Sequence, residues 1–194
     1  MQAYQNGHAL TQGNEKNRST MAFIDLATER YSERRFSPRP IEQEKLHAIL
    51  EAARVAPTAR NLQPQRILVV KSEEGLAKMD RCTNCRFGAP CVLVLTYDMT
   101  LASRSPDVMD FGIVDTSIAA THMMLQAQEL GIHSCWVGLI DPPELRRQFS
   151  IPRTHKIVSV MPIGYPEESS TPSPMHDASI PLDEMVAYES FGEA

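Results

Sequence analysis

The sequence predicts a single domain that combines α-helices and β-strands around one long apolar helix. The 194 residues, 42% apolar and 22% charged, are typical of a globular chain and suffice for one sizeable core. Apolar residues recur at helical spacing in several segments, whereas short apolar runs bounded by turn residues indicate strands. We therefore expect both kinds of element to contribute to that core.

The two ends of the chain differ from its centre in composition. Residues 1–20 are polar and show almost no apolar periodicity, so we expect a flexible leader. The folded domain is expected over residues 21–194, and its first helix ends before Pro38. Residues 166–194 are rich in Ser and Pro until a short helix near the end, and we expect them to form a C-terminal arm that wraps a neighbour.

The remaining elements follow from apolar periodicity and from turn residues. A second amphipathic helix is predicted with these residues on one side: Ile41, Leu46, Ile49, Leu50, Ala53 and Val55. Strands are predicted over residues 67–70, 92–97, 133–140 and 156–161. Ser72 is expected to cap a short helix, and Asp141 a helix that continues to Phe149.

The long helix is predicted over residues 111–130, which are apolar nearly all round. Such a pattern indicates burial on more than one face, so we interpret this helix as the centre of the fold and as a candidate for sharing with a partner subunit. Gly131 is expected to end it in a left-handed cap.

The overall charge and the absence of long apolar runs limit the classes of partner. The chain has 19 basic and 24 acidic side chains, a net charge of −5, which argues against nucleic acid or an anionic membrane as the main partner. No apolar run approaches the roughly 20 residues needed to span a bilayer, and no signal-peptide pattern opens the chain. A cytoplasmic location is the default expectation.

The cysteines offer a possible metal or redox site. Cys82 and Cys85 form a Cys-x2-Cys pair, which can bind a metal or cycle as a dithiol, but a structural zinc site usually has a second such pair. Cys91 and Cys135 lie in apolar segments where reduced, buried thiols are common. We favour reduced structural thiols and expect no metal.

A polar loop between two prolines is the first candidate binding segment. Between Pro57 and Pro64 it carries the side chains of Thr58, Arg60, Asn61 and Gln63. Each amide presents a donor and an acceptor in one plane, so a stiff loop with two of them can bind the edge of a flat heterocycle such as the pyrimidine end of a flavin. The alternative is an ordinary solvated connection between a helix and a strand.

A basic cluster at the end of the first helix is the second candidate. The segment Arg30–Phe36 contains three guanidinium groups and a serine hydroxyl. Arginine offers a planar fork of donors and stays charged, so this cluster can clamp a phosphate. It can equally be a solvated basic helix end that interacts with the helix dipole.

These segments, taken in order, resemble the nitroreductase family of FMN-dependent NAD(P)H oxidoreductases. The resemblance extends from about Met21 to the C-terminus and is carried by Arg30–Phe36, Ala56–Pro64, the long helix, Gly131, Cys135–Gly138 and Pro162–Pro166. It implies an α+β, three-layer fold with a mostly antiparallel central sheet flanked by helices. It also implies a homodimer with two flavin sites at the subunit interface.

The resemblance implies a role for eleven residues in binding FMN. The segment that holds the flavin phosphate and ribityl chain is matched by Arg30, Tyr31, Ser32 and Arg34. The loop that meets the flavin, expected from the other subunit, is matched by Pro57 and Thr58, and side chains near the isoalloxazine by Asn61 and Gln63. Backbone that covers the ring and donates towards its N5 side is matched by Trp136, Val137 and Gly138.

Two departures from the family pattern concern the same sites. Arg60 and Leu62 replace small residues in the loop, which is expected to reshape the substrate side. The C-terminal arm lacks the Lys or Arg that many relatives place before the pair Pro181-Leu182, and only His176 lies nearby. Weaker flavin retention is therefore expected.

The implied activity is a two-step, ping-pong electron transfer. NADH or NADPH reduces the flavin, and a small-molecule acceptor such as a nitroaromatic, a quinone or an enone then takes the electrons. No catalytic side chain is required, and none is predicted. The alternatives are a dehalogenating or flavin-fragmenting relative, a non-catalytic flavin sensor or store, and a metal or redox module built on the cysteines.

Overall fold

The computed structural model describes residues 22–103 and 109–192, so the predicted leader lies outside the described residues. The helices are α1 (Phe23–Glu29), α2 (Gln43–Val55), α3 (Glu73–Met79), α4 (Phe111–Glu129), α5 (Pro142–Phe149) and α6 (Leu182–Met185). The strands are β1 (Gln65–Val70), β2 (Cys91–Asp98), β3 (His133–Ser134) and β4 (His155–Gly164). A 3₁₀ turn at Ala59–Asn61 precedes β1.

The four strands form one antiparallel sheet in the order β1-β2-β4-β3. Strand β2 lies in the middle and is buried from Cys91 to Tyr97. Its side chains alternate between two faces, so Leu93 and Leu95 pack on one side while Val92 and Val94 pack on the other. This sheet confirms the predicted α+β class and the mostly antiparallel pairing.

Helices cover both faces of the sheet and complete three layers. Helices α2 and α4 form the core on one face, where Ile49 and Met123 pack with Leu93. Helices α3 and α5 cover the other face, where Met79 and Leu145 are fully buried. Burial of large side chains on both faces stabilises the sheet in its twisted, packed form.

The predicted helix caps are present. The Ser72 hydroxyl accepts a hydrogen bond from the Gly75 amide, and the Asp141 carboxylate accepts one from the Glu144 amide. Gly131 follows α4 with a φ of 71°, the left-handed conformation that glycine adopts without steric cost. Local sequence therefore determines where these helices begin and end.

The predicted strand over residues 133–140 was too long, since the regular ladder stops at Ser134. The Cys135 amide still donates to the Pro162 carbonyl, but a proline has no N–H to return the bond, so the ladder is broken there. Pairing resumes only at an isolated bridge between Val137 and Val160. The chain is therefore irregular where the ring-covering segment was expected.

The long helix is buried on one face rather than on several. Its buried residues share a single stripe at helical spacing: Gly112, Asp115, Thr116, Ala119, Ala120, Met123 and Ala127. Ile113 is exposed on another side. Val55, which was expected on the buried side of α2, is 61% exposed, and α1 has no buried residue. Among the described residues, α1 contacts α4, but these apolar side chains stay largely exposed.

The C-terminal arm first packs on its own chain. Pro166 forms a bridge with Phe36, and the Glu167 amide donates to the Arg35 carbonyl. Beyond His176 the arm is exposed and carries large apolar side chains such as Tyr188. No helix in residues 22–103 or 109–192 combines the length and apolarity needed to cross a membrane.

Candidate functional site

The basic segment after α1 lies alongside β3. Ser32 forms a parallel bridge with Ser134, and the Glu33 amide donates to the Ser134 carbonyl at 3.0 Å. The segment Arg30–Phe36 therefore runs beside the strand that leads directly into Trp136. Two of the predicted binding segments, distant in sequence, are neighbours in the fold.

Three of the predicted phosphate ligands influence the Cys135 thiol electrostatically. Burial raises the pKa of the Cys135 thiol, while the Arg34 charge, the Ser32 hydroxyl and the Arg30 charge lower it. Arg34 Nη1 donates to the Ser32 carbonyl at 3.3 Å, and Ser32 pairs with Ser134, the residue before Cys135, so Ser32 and Arg34 lie beside this segment. Guanidinium and hydroxyl groups are donors suited to an anion.

Sequence reasoning missed Glu33, the buried carboxylate within this segment. It is 1% exposed, and its Oε1 accepts hydrogen bonds from the amides of Arg34 and Arg35, both at 2.8 Å, and from the Ser170 hydroxyl at 2.6 Å. Burial raises the pKa of this carboxyl, but the hydrogen bonds from Ser170, Arg35, Tyr31 and Arg34 outweigh it and hold the pKa below its usual value. The sequence signal for Glu33 was an acidic residue placed among the arginines of this segment.

Tyr31 is directed towards Glu33 and two histidines. Its hydroxyl donates to Glu33 Oε2 at 3.0 Å, and its ring meets the edge of His133 at 4.8 Å between centroids. The ring of His176, from the C-terminal arm, lies 6.0 Å away. Burial and the hydrogen bond to Glu33 raise the pKa of Tyr31. Tyr31 therefore joins the arm to the basic segment, while the other predicted phosphate ligands act on Cys135.

The segment after β3 combines one exposed ring with open backbone. Trp136 is 36% exposed, whereas Val137 is buried and its amide donates to the Val160 carbonyl at 3.0 Å. Gly138 is exposed, and a Cβ placed there would meet no atom within 4 Å. Within residues 22–103 and 109–192, no hydrogen bond uses the Gly138 amide. Of the two, Gly138 rather than Val137 has a backbone donor to offer a ligand.

The proline-bounded loop has an unusual backbone. Arg60, Asn61 and Gln63 have φ angles of 55°, 56° and 50°, in the left-handed region that few non-glycine residues adopt. The Thr58 hydroxyl accepts from the Gln63 amide at 3.0 Å, and Gln63 Nε2 donates to Asn61 Oδ1 at 2.9 Å. Strain of this kind is concentrated at functional sites. Pro57 is exposed at the start of the loop.

A second missed residue, Asp115, holds this loop to α4. Its Oδ1 accepts a hydrogen bond from the Ala59 amide at 2.8 Å, and the residue is 1% exposed. Its other oxygen, Oδ2, is buried without a hydrogen-bond partner among the described residues. A carboxylate inside an otherwise apolar helix was the sequence signal, but its partner lies 56 residues away.

The structure does not bring the two halves of the predicted site together within one chain. The amide loop is attached to the first turns of α4 through Asp115, whereas the basic segment lies beside β3, which follows the other end of α4. Asp115 and Glu129 are 14 residues apart on this helix, which corresponds to about 21 Å.

The other candidates from the sequence have simple environments. Cys82, Cys91 and Cys135 are buried, Cys85 is partly buried, and all four are free thiols. In residues 22–103 and 109–192, no group of three or more His, Cys, Asp or Glu side chains is arranged to hold a metal ion. His122 Nδ1 lies 2.9 Å from the Ile118 carbonyl on its own helix.

Comparison with known proteins gives a consistent result. The sequence profile of the Nitroreductase family matches residues 27–87 and 86–165. A protein of Archaeoglobus fulgidus, named as an NADH dehydrogenase/NAD(P)H nitroreductase, is 36% identical over 148 residues, which cover 72% of this chain and 82% of that protein.

Solved structures agree with this match. A nitroreductase family protein from Clostridium difficile is 37% identical, with a TM-score of 0.81, over 88% of this chain and 99% of that one. A protein from Exiguobacterium sibiricum, solved in complex with FMN, is 20% identical, with a TM-score of 0.76, over 89% of this chain and 99% of that one.

Proposed function

Because the chain belongs to the nitroreductase family, we propose that it is an NAD(P)H-dependent oxidoreductase that binds FMN between two copies of itself. The observation that carries this proposal is the pairing of the basic segment, at Ser32 and Glu33, with Ser134 of the strand that leads into the segment containing Gly138. The names of its relatives, which include NAD(P)H nitroreductases and an FMN reductase, support the same class of enzyme.

The donor set near Cys135 fits the phosphate end of FMN. Arg30 and Arg34 supply permanent positive charge, and the Ser32 hydroxyl adds a neutral donor. A phosphate dianion carries several strong acceptor oxygens, so two guanidinium groups match it in charge and in geometry. The open space over Gly138 lets a flat ring approach the backbone of the same region.

The amide loop fits the pyrimidine edge of the flavin ring. Asn61 and Gln63 are exposed, and their side chains bond to each other rather than to the rest of the fold. A ligand that offers donors and acceptors in one plane can replace this bond without leaving buried groups unpaired. Since the loop lies at the other end of α4, we assign it to the site of the second copy.

The exposed apolar surfaces support a homodimer. Helices α1, α2 and α4 border a groove of about 670 Å³ that is lined by Phe23, Leu26, Val55 and Leu125 among others. A continuous apolar groove on a monomer indicates a contact surface. A second copy in this groove would bury both Val55 and the free side of α4, and it would bring the two halves of the site within reach of each other.

Bound FMN would supply the chemistry of electron transfer from NADH or NADPH to a small acceptor such as a nitroaromatic, a quinone or an enone. The residues of the chain bind and orient. Arg30 and Arg34 would hold the phosphate, the loop amides would hold the ring edge, and Trp136 would restrict access to one face. No side chain acts as acid or base. A ping-pong mechanism and a cytoplasmic location are part of this proposal.

The experiment is a visible spectrum of the purified protein with FMN, followed by steady-state oxidation of NADH and NADPH with a quinone acceptor. We expect a bound flavin spectrum, bleaching by the reduced nicotinamide, and turnover with parallel-line kinetics. Arg34→Ala is expected to weaken FMN binding, whereas Arg153→Ala, at an exposed arginine outside the site, is the matched control.

Two results would count against the proposal. A protein that binds no FMN, or that remains monomeric when FMN is bound, contradicts the shared site. A protein that binds FMN but never oxidises NADH or NADPH is a flavin store or sensor instead. The arm residues 166–192 contain no Lys or Arg to strengthen the phosphate contact, which is the feature that favours this second function.

A further inference from the structure

Glu33 is a negative group buried within the cluster that is proposed to bind a phosphate. Its side chain is 1% exposed, although its neighbours Arg34 and Arg35 are both exposed. Placing a carboxylate near an anion site costs electrostatic energy, so a compensating role is expected. The hydrogen bonds of Glu33 indicate what that role is.

The two carboxylate oxygens have different partners. Oε1 accepts three hydrogen bonds: from the amides of Arg34 and Arg35, and from the Ser170 hydroxyl. Oε2 accepts the Tyr31 hydroxyl and lies 3.8 Å from His133 Nδ1. Glu33 thus connects the basic segment to β3 and to the C-terminal arm. Because Oε1 binds two successive amides, the backbone curls around the carboxylate at the position of Arg34.

This curl sets the backbone position from which the Arg34 side chain extends. With its amide directed inwards to Glu33, Arg34 has an exposed side chain whose charge acts on Cys135, next to Ser32 and Arg30. The Arg34 side chain has one weak bond of its own, from Nη1 to the Ser32 carbonyl at 3.3 Å. The restraint on this segment that involves Glu33 therefore acts on the backbone at Arg34 and Arg35.

We propose that Glu33 is a positioning residue that holds Arg34 in place for the FMN phosphate; this inference rests on the proposed function. Glu33 touches neither the flavin nor the acceptor. It acts by holding the backbone of Arg34, so its contribution concerns the phosphate and not the ring. The geometry of its Oε1 matters more than its charge, since a negative charge near a phosphate is unfavourable.

The experiment compares the dissociation constants of FMN and riboflavin, which differ by the phosphate alone. Binding is followed by quenching of flavin fluorescence in wild type, Glu33→Met and Glu33→Gln. Methionine has a similar volume but cannot accept the amides, whereas glutamine keeps Oε1 as an acceptor. Glu168→Ala, at an exposed glutamate of the arm, is the matched control.

We expect E33M to weaken FMN binding by about 10- to 100-fold, the effect of losing one hydrogen bond to a charged group, while riboflavin binding changes by less than about threefold. E33Q and E168A should keep the FMN-to-riboflavin ratio within about threefold of wild type. In an Arg34→Ala background, E33M should have no further effect on the ratio, because Glu33 acts through Arg34.

Several outcomes would overturn this inference. In E33M these are an unchanged ratio of FMN to riboflavin affinity, or equal losses of affinity for FMN and riboflavin. The others are a loss of FMN affinity in E33Q as large as in E33M, and an effect of E33M on the ratio that is undiminished in the R34A background. Should E33M fail to melt cooperatively, Glu33→Ala, which leaves room for water, is judged by the same ratio. If wild type itself binds FMN no better than riboflavin, the proposed phosphate site fails instead.

Discussion

The hydrogen bond between Asp115 and the Ala59 amide is expected to control how often the proline-bounded loop opens. The loop contains three non-glycine residues in the left-handed region, at Arg60, Asn61 and Gln63, and each such residue stores of the order of 1 kcal/mol of strain. At its far end the loop is held by the Arg66 guanidinium, which donates to the Gln63 carbonyl at 3.0 Å, whereas the bond from the Gln63 amide to Thr58 is internal to it. Asp115→Ala therefore removes the hydrogen bond that holds the first part of this strained segment to α4.

The size of the effect follows from the environment of this hydrogen bond. Asp115 is 1% exposed and its bond to Ala59 measures 2.8 Å, so the loss corresponds to a hydrogen bond with a charged group, about 1.5–3 kcal/mol. At about 1.4 kcal/mol per factor of ten, the open fraction of the loop rises roughly 10- to 150-fold. Release of the stored strain acts in the same direction.

Limited trypsin digestion measures this opening, because the loop contains the peptide bond after Arg60. Under native conditions the rate of cleavage at that bond follows the open fraction. Mass spectrometry should show Arg60 cleavage 10- to 150-fold faster in D115A than in wild type. Asp115→Asn, which retains an acceptor for the Ala59 amide, should stay within about threefold. Cleavage after the distant, exposed Arg153 should not change.

Two results would refute this reasoning. If D115A is cut after Arg60 as slowly as wild type, the carboxylate does not hold the loop. If cleavage after Arg60 and Arg153 accelerates equally, the substitution has lowered the stability of the whole domain rather than that of the loop.

Three further predictions concern stability and reactivity. Gly112→Ala would place a Cβ 2.2 Å from Tyr97 Cε2. Urea denaturation should therefore show a free energy of unfolding that is lower by about 1–3 kcal/mol than in wild type. The control is Gly138→Ala, whose Cβ would have no atom within 4 Å and should change the free energy of unfolding little. Burial raises the pKa of Cys82 to about 11 and that of Cys91 to about 12. At pH 8 a disulfide reagent should therefore react first with Cys85. Cys85→Ser should abolish the fast phase of this thiol modification. Burial lowers the pKa of His133 below 6.5. The contribution of neutral His133 to the free energy of unfolding should therefore be complete above pH 6.5 and should be lost as the pH falls through the folded pKa. The same pH dependence of stability in His133→Gln would contradict this.

Local sequence was sufficient for most of the secondary structure. The caps at Ser72 and Asp141 and the turn at Gly131 depend on one or two residues, so they were predictable without the fold. The strand after His133 was overestimated because its end depends on Pro162, a residue of another strand. Within one chain α4 is buried along a single stripe, and composition does not specify whether its other apolar side packs inside the chain or against another one.

The candidate site also has a part that the sequence predicts and a part that only the fold reveals. Residue types that suit a phosphate and a flat ring were visible in Arg30, Arg34, Asn61 and Gln63. The partners that position them were not, since Glu33 is hydrogen-bonded to Ser170 in the arm, and Asp115 to the Ala59 amide across 56 residues.

By itself, the sequence determined the elements, their caps and the chemical character of two binding segments, because these depend on side-chain type and on neighbours within one or two helical turns. Tertiary structure decided that the basic segment lies beside β3, that the amide loop is anchored at the far end of α4, and that two isolated carboxylates become anchors. The physical reason is that hydrogen bonds and burial between distant segments exist only once the sheet has paired and the helices have packed on it.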